Sequence, residues 1–345
     1  MPRQHHASYE SGEFTTMINR RSVLKTSGAL AAGGFVPVVA PGRDGADASG
    51  ASQLRPGERY IDVPGGRVWA NVVGHGSRPA LLVLHGGPGA GHDYLESLGD
   101  LAADRPVVFY DQLGCGRSEK PDNPALWVVD RFVAEVEAVR RALGLRRFHL
   151  YGHSWGGWLA IEYLLRQPRE VSAVVLASTS ASAPQFVAGT RQLRTRLPAD
   201  VQRVLDEYEA EGDYTAPEYL DAVNVFYAHF FCRLDPYPEA LLRSAANVDG
   251  NQVYATMNGP NEFVMTGNLA SWDRTSKLRR IRKPVLLTRG RYDEFAVDST
   301  DTLEQGLPFT ERVEFPHSAH MAMWEDREAY MRTLSSFLSD WDRIH

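Results

Sequence analysis

The chain has 345 residues, of which 43% are hydrophobic and 23% charged, and carries a formal net charge of −6 at pH 7. This is ordinary globular composition, long enough for two domains or equally for one large domain with an insertion, and it excludes a disordered or collagen-like chain. The negative balance leaves no electrostatic footprint for nucleic acid or an anionic membrane, and the two cysteines, Cys115 and Cys232, are too few for a disulfide scaffold or a cysteine zinc site.

Residues 1–48 read as an export signal. Arg20-Arg21 precedes Ser22-Val23-Leu24-Lys25, then an uncharged run from Thr26 to Gly42, then the small-residue site Ala46-Asp47-Ala48. The run contains Gly28, Gly33, Gly34 and Pro37 and is shorter than the roughly 20 apolar residues of a membrane span. The adjacent arginines are of the twin-arginine type, which predicts a periplasmic or extracellular protein. The alternative is a cytoplasmic protein with a chance arginine pair. Stable membrane insertion is not expected.

From residue 49 onward the predicted elements alternate. Arg59 to Val63 and Val68 to Gly74 form a hairpin around Pro64-Gly65-Gly66. Ala80 to Leu84, Pro106 to Tyr110, Arg147 to Tyr151 and Ala173 to Leu176 are short, continuously apolar runs that suit parallel strands buried on both faces. Between them lie helical patterns such as Asp130 to Leu143. The alternation predicts a mostly parallel, doubly wound α/β sheet. It breaks over 183–274, where helical periodicity, prolines and aromatics predict an inserted helical cap; on its helix from Pro217 to Phe231, the residues Leu220, Val223, Phe226, Tyr227 and Phe230 form a packing face. The rhythm resumes over 275–345, with Val285 to Thr288, Arg312 to Phe315 and a final helix from Ala322 to Trp341. The sheet core is thus read as 49–182 and 275–345.

Gly152-His153-Ser154-Trp155-Gly156 joins the strand ending at Tyr151 to a following helix. Gly-x-Ser-x-Gly in that setting is a nucleophile elbow, which pushes the Ser154 hydroxyl out over the sheet. His85-Gly86-Gly87-Pro88-Gly89 follows the strand Ala80 to Leu84 and offers an oxyanion loop, with the Gly87 and Trp155 amides as donors. For the acid, Asp293 lies just past the strand Val285 to Thr288; Glu294 and Asp298 are rivals, with Asp298 expected to cap the next helix. For the base, His320 is favoured over His317 because it opens the last helix at the upper rim of the sheet. His85 and His153 are read as structural, and both cysteines as buried thiols. No His-Glu-x-x-His motif, carboxylate cluster or phosphate loop is present, so neither a metal nor a nucleotide is expected.

The loop His85 to Gly89, the segment Asp111 to Ser118 and the elbow Gly152 to Gly157 together resemble the prolyl aminopeptidase (proline iminopeptidase) family of α/β hydrolases. The cap segment Met257 to Phe263 is similar to that of the tricorn-interacting aminopeptidases. The resemblance implies a serine hydrolase that releases an N-terminal residue, often proline, from short peptides or amino-acid amides through an acyl-enzyme. Glu262 and Glu294 match the family's amine-binding glutamates. Phe295-Ala296-Val297 departs from the Val-Thr-Pro of many relatives, which bears on substrate choice. The competing expectation is a carboxylesterase or lactonase on the same three residues, which needs no amine anchor. Oligomeric state is not legible.

Overall fold

The computed structural model describes residues 54–342; the segment read as an export signal lies outside them. Eight strands form one sheet in the order β1-β2-β4-β3-β5-β6-β7-β8. The hairpin β1 (Gly57–Val63) and β2 (Gly66–Val73) is antiparallel, as is the pairing of β2 with β4 (Val107–Tyr110). The remaining pairs, through β3 (Ala80–Leu84), β5 (Phe148–His153), β6 (Val171–Ala177), β7 (Val285–Gly290) and β8 (Thr310–Phe315), are parallel.

The continuous apolar runs have the expected cause. Every residue of β3, β4, β5 and β7 is buried, because helices cover both faces of the sheet. Leu82 and Leu84 of β3 share a core with Val136 of α1 (Val129–Ala142) and Leu159 of α2 (Trp155–Leu165). The alternate residues Leu81 and Val83 pack on the other side with Leu95, Leu98 and Leu334. This period-two division of one strand between two cores is what a covered parallel sheet requires.

Five α-helices intervene between β6 and β7: α3 (Ala183–Arg194), α4 (Ala199–Glu211), α5 (Pro217–Phe230), α6 (Glu239–Val248) and α7 (Gln252–Met257). The chain leaves and rejoins the sheet at one place, where Ser182 and Asp273 bridge and the Ala183 and Arg274 amides donate to Trp272 and Ala181 carbonyls at 2.8 Å each. Leu193, Leu205, Tyr219, Val223, Phe226, Phe230 and Phe263 give the helices a small core of their own. The buried face of α5 is turned slightly from the expected one: Tyr219 and Ala222 are buried, whereas Leu220 and Tyr227 are half-buried.

Beyond β7 lies α8 (Val297–Gly306), with Ala296 at its N-cap; Asp298, expected to cap it, sits exposed inside the first turn and makes no capping bond. The expected last helix is two: α9 (Ala322–Glu325) and α10 (Arg327–Asp340). Asp326 between them has φ −124° and ψ 41°, outside the helical region. The break lets the Asp326 carboxylate accept from Ser318 Oγ and that of Glu325 from the Ala319 and Arg233 amides, each at 2.7 Å. Three tertiary bonds hold a kink that helical periodicity cannot reveal.

Candidate active site

The strand register brings Leu84 opposite Gly152, Gly152 opposite Leu176, and Ala177 opposite both His153 and Thr288. The segments following β3, β5 and β7 therefore emerge together at the carboxyl end of the sheet, where open α/β sheets place their sites. Ser154, at the end of β5, has φ 57° and ψ −126°, a strained backbone for a residue bearing a side chain. Its amide donates to the Ala177 carbonyl at 3.1 Å and its carbonyl accepts from the Gly157 amide at 2.9 Å and Thr179 Oγ1 at 2.8 Å. The flanking glycines are dictated by contact: a Cβ at Gly152 would lie 2.3 Å from the Gly156 carbonyl oxygen, and one at Gly156 2.1 Å from that of Leu84.

His320 and Asp293 meet, with His320 Nδ1 3.0 Å from Asp293 Oδ1, and both are buried. The carboxylate also accepts from the Phe295 amide at 3.0 Å. Burial alone would raise the Asp293 carboxyl, but His320 holds it below the ordinary carboxylate range. Since Nδ1–H is given to Asp293, the unprotonated ring position is Nε2. The imidazole is fixed from the sides as well: Phe295 and Phe231 stack on it with interplanar angles of 17° and 29°, and the His153 ring lies 4.4 Å away. Phe295, one of the departures from the family pattern, thus packs against the imidazole itself. His317 is exposed and stands apart from these contacts.

His85 and His153 hold the framework. The Gly86 amide donates to Tyr94 Oη at 2.7 Å, Tyr94 donates to His153 Nδ1 at 2.9 Å, and His153 Nε2–H donates to the His320 carbonyl at 3.0 Å. This chain joins the loop after β3 to the segment carrying His320, and burial drives His153 strongly to its neutral form. His85 donates from Nδ1 to the Gly86 carbonyl and accepts the Gln112 amide at Nε2, both at 2.9 Å; burial lowers it to about 4, so it too is neutral.

Gln112 is a site residue whose part the sequence does not disclose. Its side-chain amide donates to the His85 carbonyl and its Oε1 accepts from Trp155 Nε1, both at 2.9 Å. One side chain therefore ties the Gly87 loop to the elbow, the two sources expected to supply oxyanion donors. Its place inside the segment Asp111 to Ser118 is the available signal. Cys115, also in that segment, is a free buried thiol donating to the Gln112 carbonyl at 3.0 Å, and Cys232 is likewise free and buried.

The two glutamates come from separate parts of the fold and feel each other's charge. Glu294 is buried, its Oε1 lies 3.4 Å from His320 Nε2, and its backbone amide donates to the Phe230 carbonyl of α5 at 3.0 Å. Glu262 comes from the inserted helices and accepts from Tyr254 Oη at 2.7 Å. Its segment is fixed by Asn261, whose Oδ1 accepts from the Phe263 and Val264 amides and whose Nδ2 donates to Tyr219 Oη. Burial, then Glu262 and Asp293, push the Glu294 carboxyl well above its ordinary value; burial also raises Glu262, against the pull of Tyr254 and His320. Among the described residues neither glutamate is paired with lysine or arginine. A buried and a half-buried carboxyl without a fixed cation make a costly arrangement that suits a cationic ligand.

This sheet, elbow and inserted helical segment define an α/β hydrolase, and the α/β-hydrolase fold family model matches residues 79–327. Within that class the chain belongs to the proline iminopeptidase family. It is 39% identical over 283 residues to the proline iminopeptidase of Heyndrickxia coagulans, covering 82% of this chain and 98% of that one. It is also 39% identical over 265 residues to that of Saccharolobus solfataricus, covering 76% and 86%. The crystal structure of proline iminopeptidase from Mycobacterium smegmatis superposes with a TM-score of 0.78 at 34% identity, over 83% of this chain and 99% of that one.

Proposed function

We propose that the protein is a serine aminopeptidase that releases an N-terminal residue, proline foremost, from short peptides or amino-acid amides. Ser154 Oγ attacks the scissile carbonyl while His320 Nε2 takes its proton. Asp293 keeps the imidazole in the right tautomer and stabilises its charged form. The Gly87 and Trp155 amides receive the negative charge that develops on the carbonyl oxygen. The tetrahedral species collapses to an ester on Ser154 as His320 returns the proton to the departing amine; water then enters by the same route and frees the amino acid.

The observation that carries the reading is the carboxyl pair Glu262 and Glu294 beside His320. A free α-amino or imino cation is the feature that separates an N-terminal residue from an internal one, and charge-assisted hydrogen bonds recognise it at about twice the strength of neutral ones. An esterase or lactonase has no use for two acids at this position. The test is a panel of aminoacyl 4-nitroanilides, with proline, alanine and their N-acetylated forms. Hydrolysis confined to the free amines supports the reading; equal hydrolysis of the acetylated forms removes it.

Export by the twin-arginine route is part of the same proposal, resting on Arg20-Arg21 and the run that follows. Lysine at both positions is expected to leave the precursor inside the cell, and normal export of that double variant contradicts it. Among the described residues no helix is long and apolar enough to cross a membrane.

A further inference from the structure

We propose that binding of an amine substrate expels one proton held between Glu294 Oε1 and His320 Nε2, so that the substrate's own cation frees the base that will act on it. The inference rests on the amine-binding reading above. His320 Nδ1–H is committed to Asp293 Oδ1 at 3.0 Å, leaving Nε2 with a lone pair, and Glu294 Oε1 stands 3.4 Å from it. Two atoms that both carry lone pairs face each other on two buried side chains, and a shared proton turns this from repulsion into a hydrogen bond. Glu294 Oε2 is buried without a hydrogen-bond partner among the described residues, so an anionic carboxylate would be left under-compensated there.

Among the described residues the surroundings offer no unpaired cation. On the β7 side Asp293 adds negative charge, and Arg289 beneath it is paired with Glu314. From the inserted helices come Glu262 and the Tyr227 and Tyr254 hydroxyls, none of them cationic. His153 is neutral and committed at both nitrogens, and Glu325 is held by the Ala319 and Arg233 amides. Burial together with Glu262 and Asp293 pushes Glu294 toward its proton-bearing form.

A substrate ammonium changes this balance. It supplies the missing positive charge between Glu262 and Glu294, which favours both as carboxylates. The proton between Oε1 and Nε2 then leaves to solvent, the Nδ1–H bond to Asp293 stays intact, and Nε2 is open to take the Ser154 proton. A ligand without the cation leaves the base occupied, so selection for a free N-terminus acts on reactivity as well as affinity.

The experiment is calorimetric titration of the Ser154→Ala protein with L-prolinamide at pH 7, in phosphate and in Tris, whose ionisation enthalpies differ. The buffer dependence of the heat should report about one proton released per amide bound, as linkage requires of a group whose affinity for protons falls on binding. Adding Glu294→Gln should abolish the release while weaker binding persists. Binding without release, or release unchanged by Glu294→Gln, overturns the proposal but leaves the amine site standing. Absence of binding removes the amine site, and the proposal with it. The measurement on the Ser154→Ala protein stands by itself should the double variant fail to fold.

Discussion

Gln112 Oε1 accepts the Trp155 indole N–H at 2.9 Å, while the same side chain donates to the His85 carbonyl, so a single residue sets the spacing between the glycine loop and the serine elbow. Neither partner is near Gln112 in sequence. Gln112→Ala should lower kcat by about 10- to 100-fold with a smaller change in KM, less than the ~10²–10³ lost with an oxyanion donor itself. Gln112→Glu keeps the acceptor for Trp155 and should recover part of the loss. A fall in Tm with kcat unchanged would make Gln112 a packing residue instead.

The backbone at Ser154 separates strain from chemistry. Its φ of 57° suits glycine, and side-chain residues held in such regions cost about 1–3 kcal/mol. Ser154→Ala and Ser154→Gly should both be inactive, but the glycine variant alone should be more stable, by up to that amount. Equal denaturation midpoints for the two variants would show that the elbow stores no such strain.

His320 and His317 are close in sequence and opposite in setting, one buried against Asp293 and the other exposed. His320→Ala should cost several orders of magnitude in kcat, as loss of a triad member does, and His317→Ala almost nothing. An active His320→Ala enzyme would refute the assignment of the base.

Glu262 and Glu294 should destabilise the protein as pH rises. A carboxyl raised in the folded state above its ordinary value of 4.5 binds its proton more tightly there than in the unfolded chain. Its contribution is therefore fully present below about pH 4.5 and is lost as pH climbs through the folded value. Glu294→Gln should raise Tm at pH 8 relative to wild type, by roughly 2–4 °C for each kcal/mol relieved. The gap should close toward pH 4. A gap that widens on acidification would reverse the sign and contradict the burial argument.

The strands were legible because burial on both faces forces an unbroken apolar run, and β3 is found from Ala80 to Leu84 as its composition predicts. The elbow was legible because its glycines answer steric contacts made within a few residues and with the adjacent strand. What could not be read depends on partners distant in the chain. The kink at Asp326 follows from bonds to Ser318, Ala319 and Arg233, and the role of Gln112 from His85 and Trp155. The approach of Glu294 to His320 is of the same kind: adjacency to Asp293 in sequence marks it as a rival acid, but its 3.4 Å distance from Nε2 is a property of the folded loop.

Recognition of a free amine by Glu262 and Glu294 is the claim on which the functional account depends, and one comparison tests it most directly. kcat/KM is measured for wild type and Glu262→Gln on prolyl 4-nitroanilide and on 4-nitrophenyl acetate, which has no cation to anchor. Loss of one charged partner in a partly buried site costs about 2–5 kcal/mol, so the ratio of amine to ester activity should fall by roughly 30-fold to several thousand-fold. An unchanged ratio, whether both activities fall together or neither moves, would contradict the amine anchor.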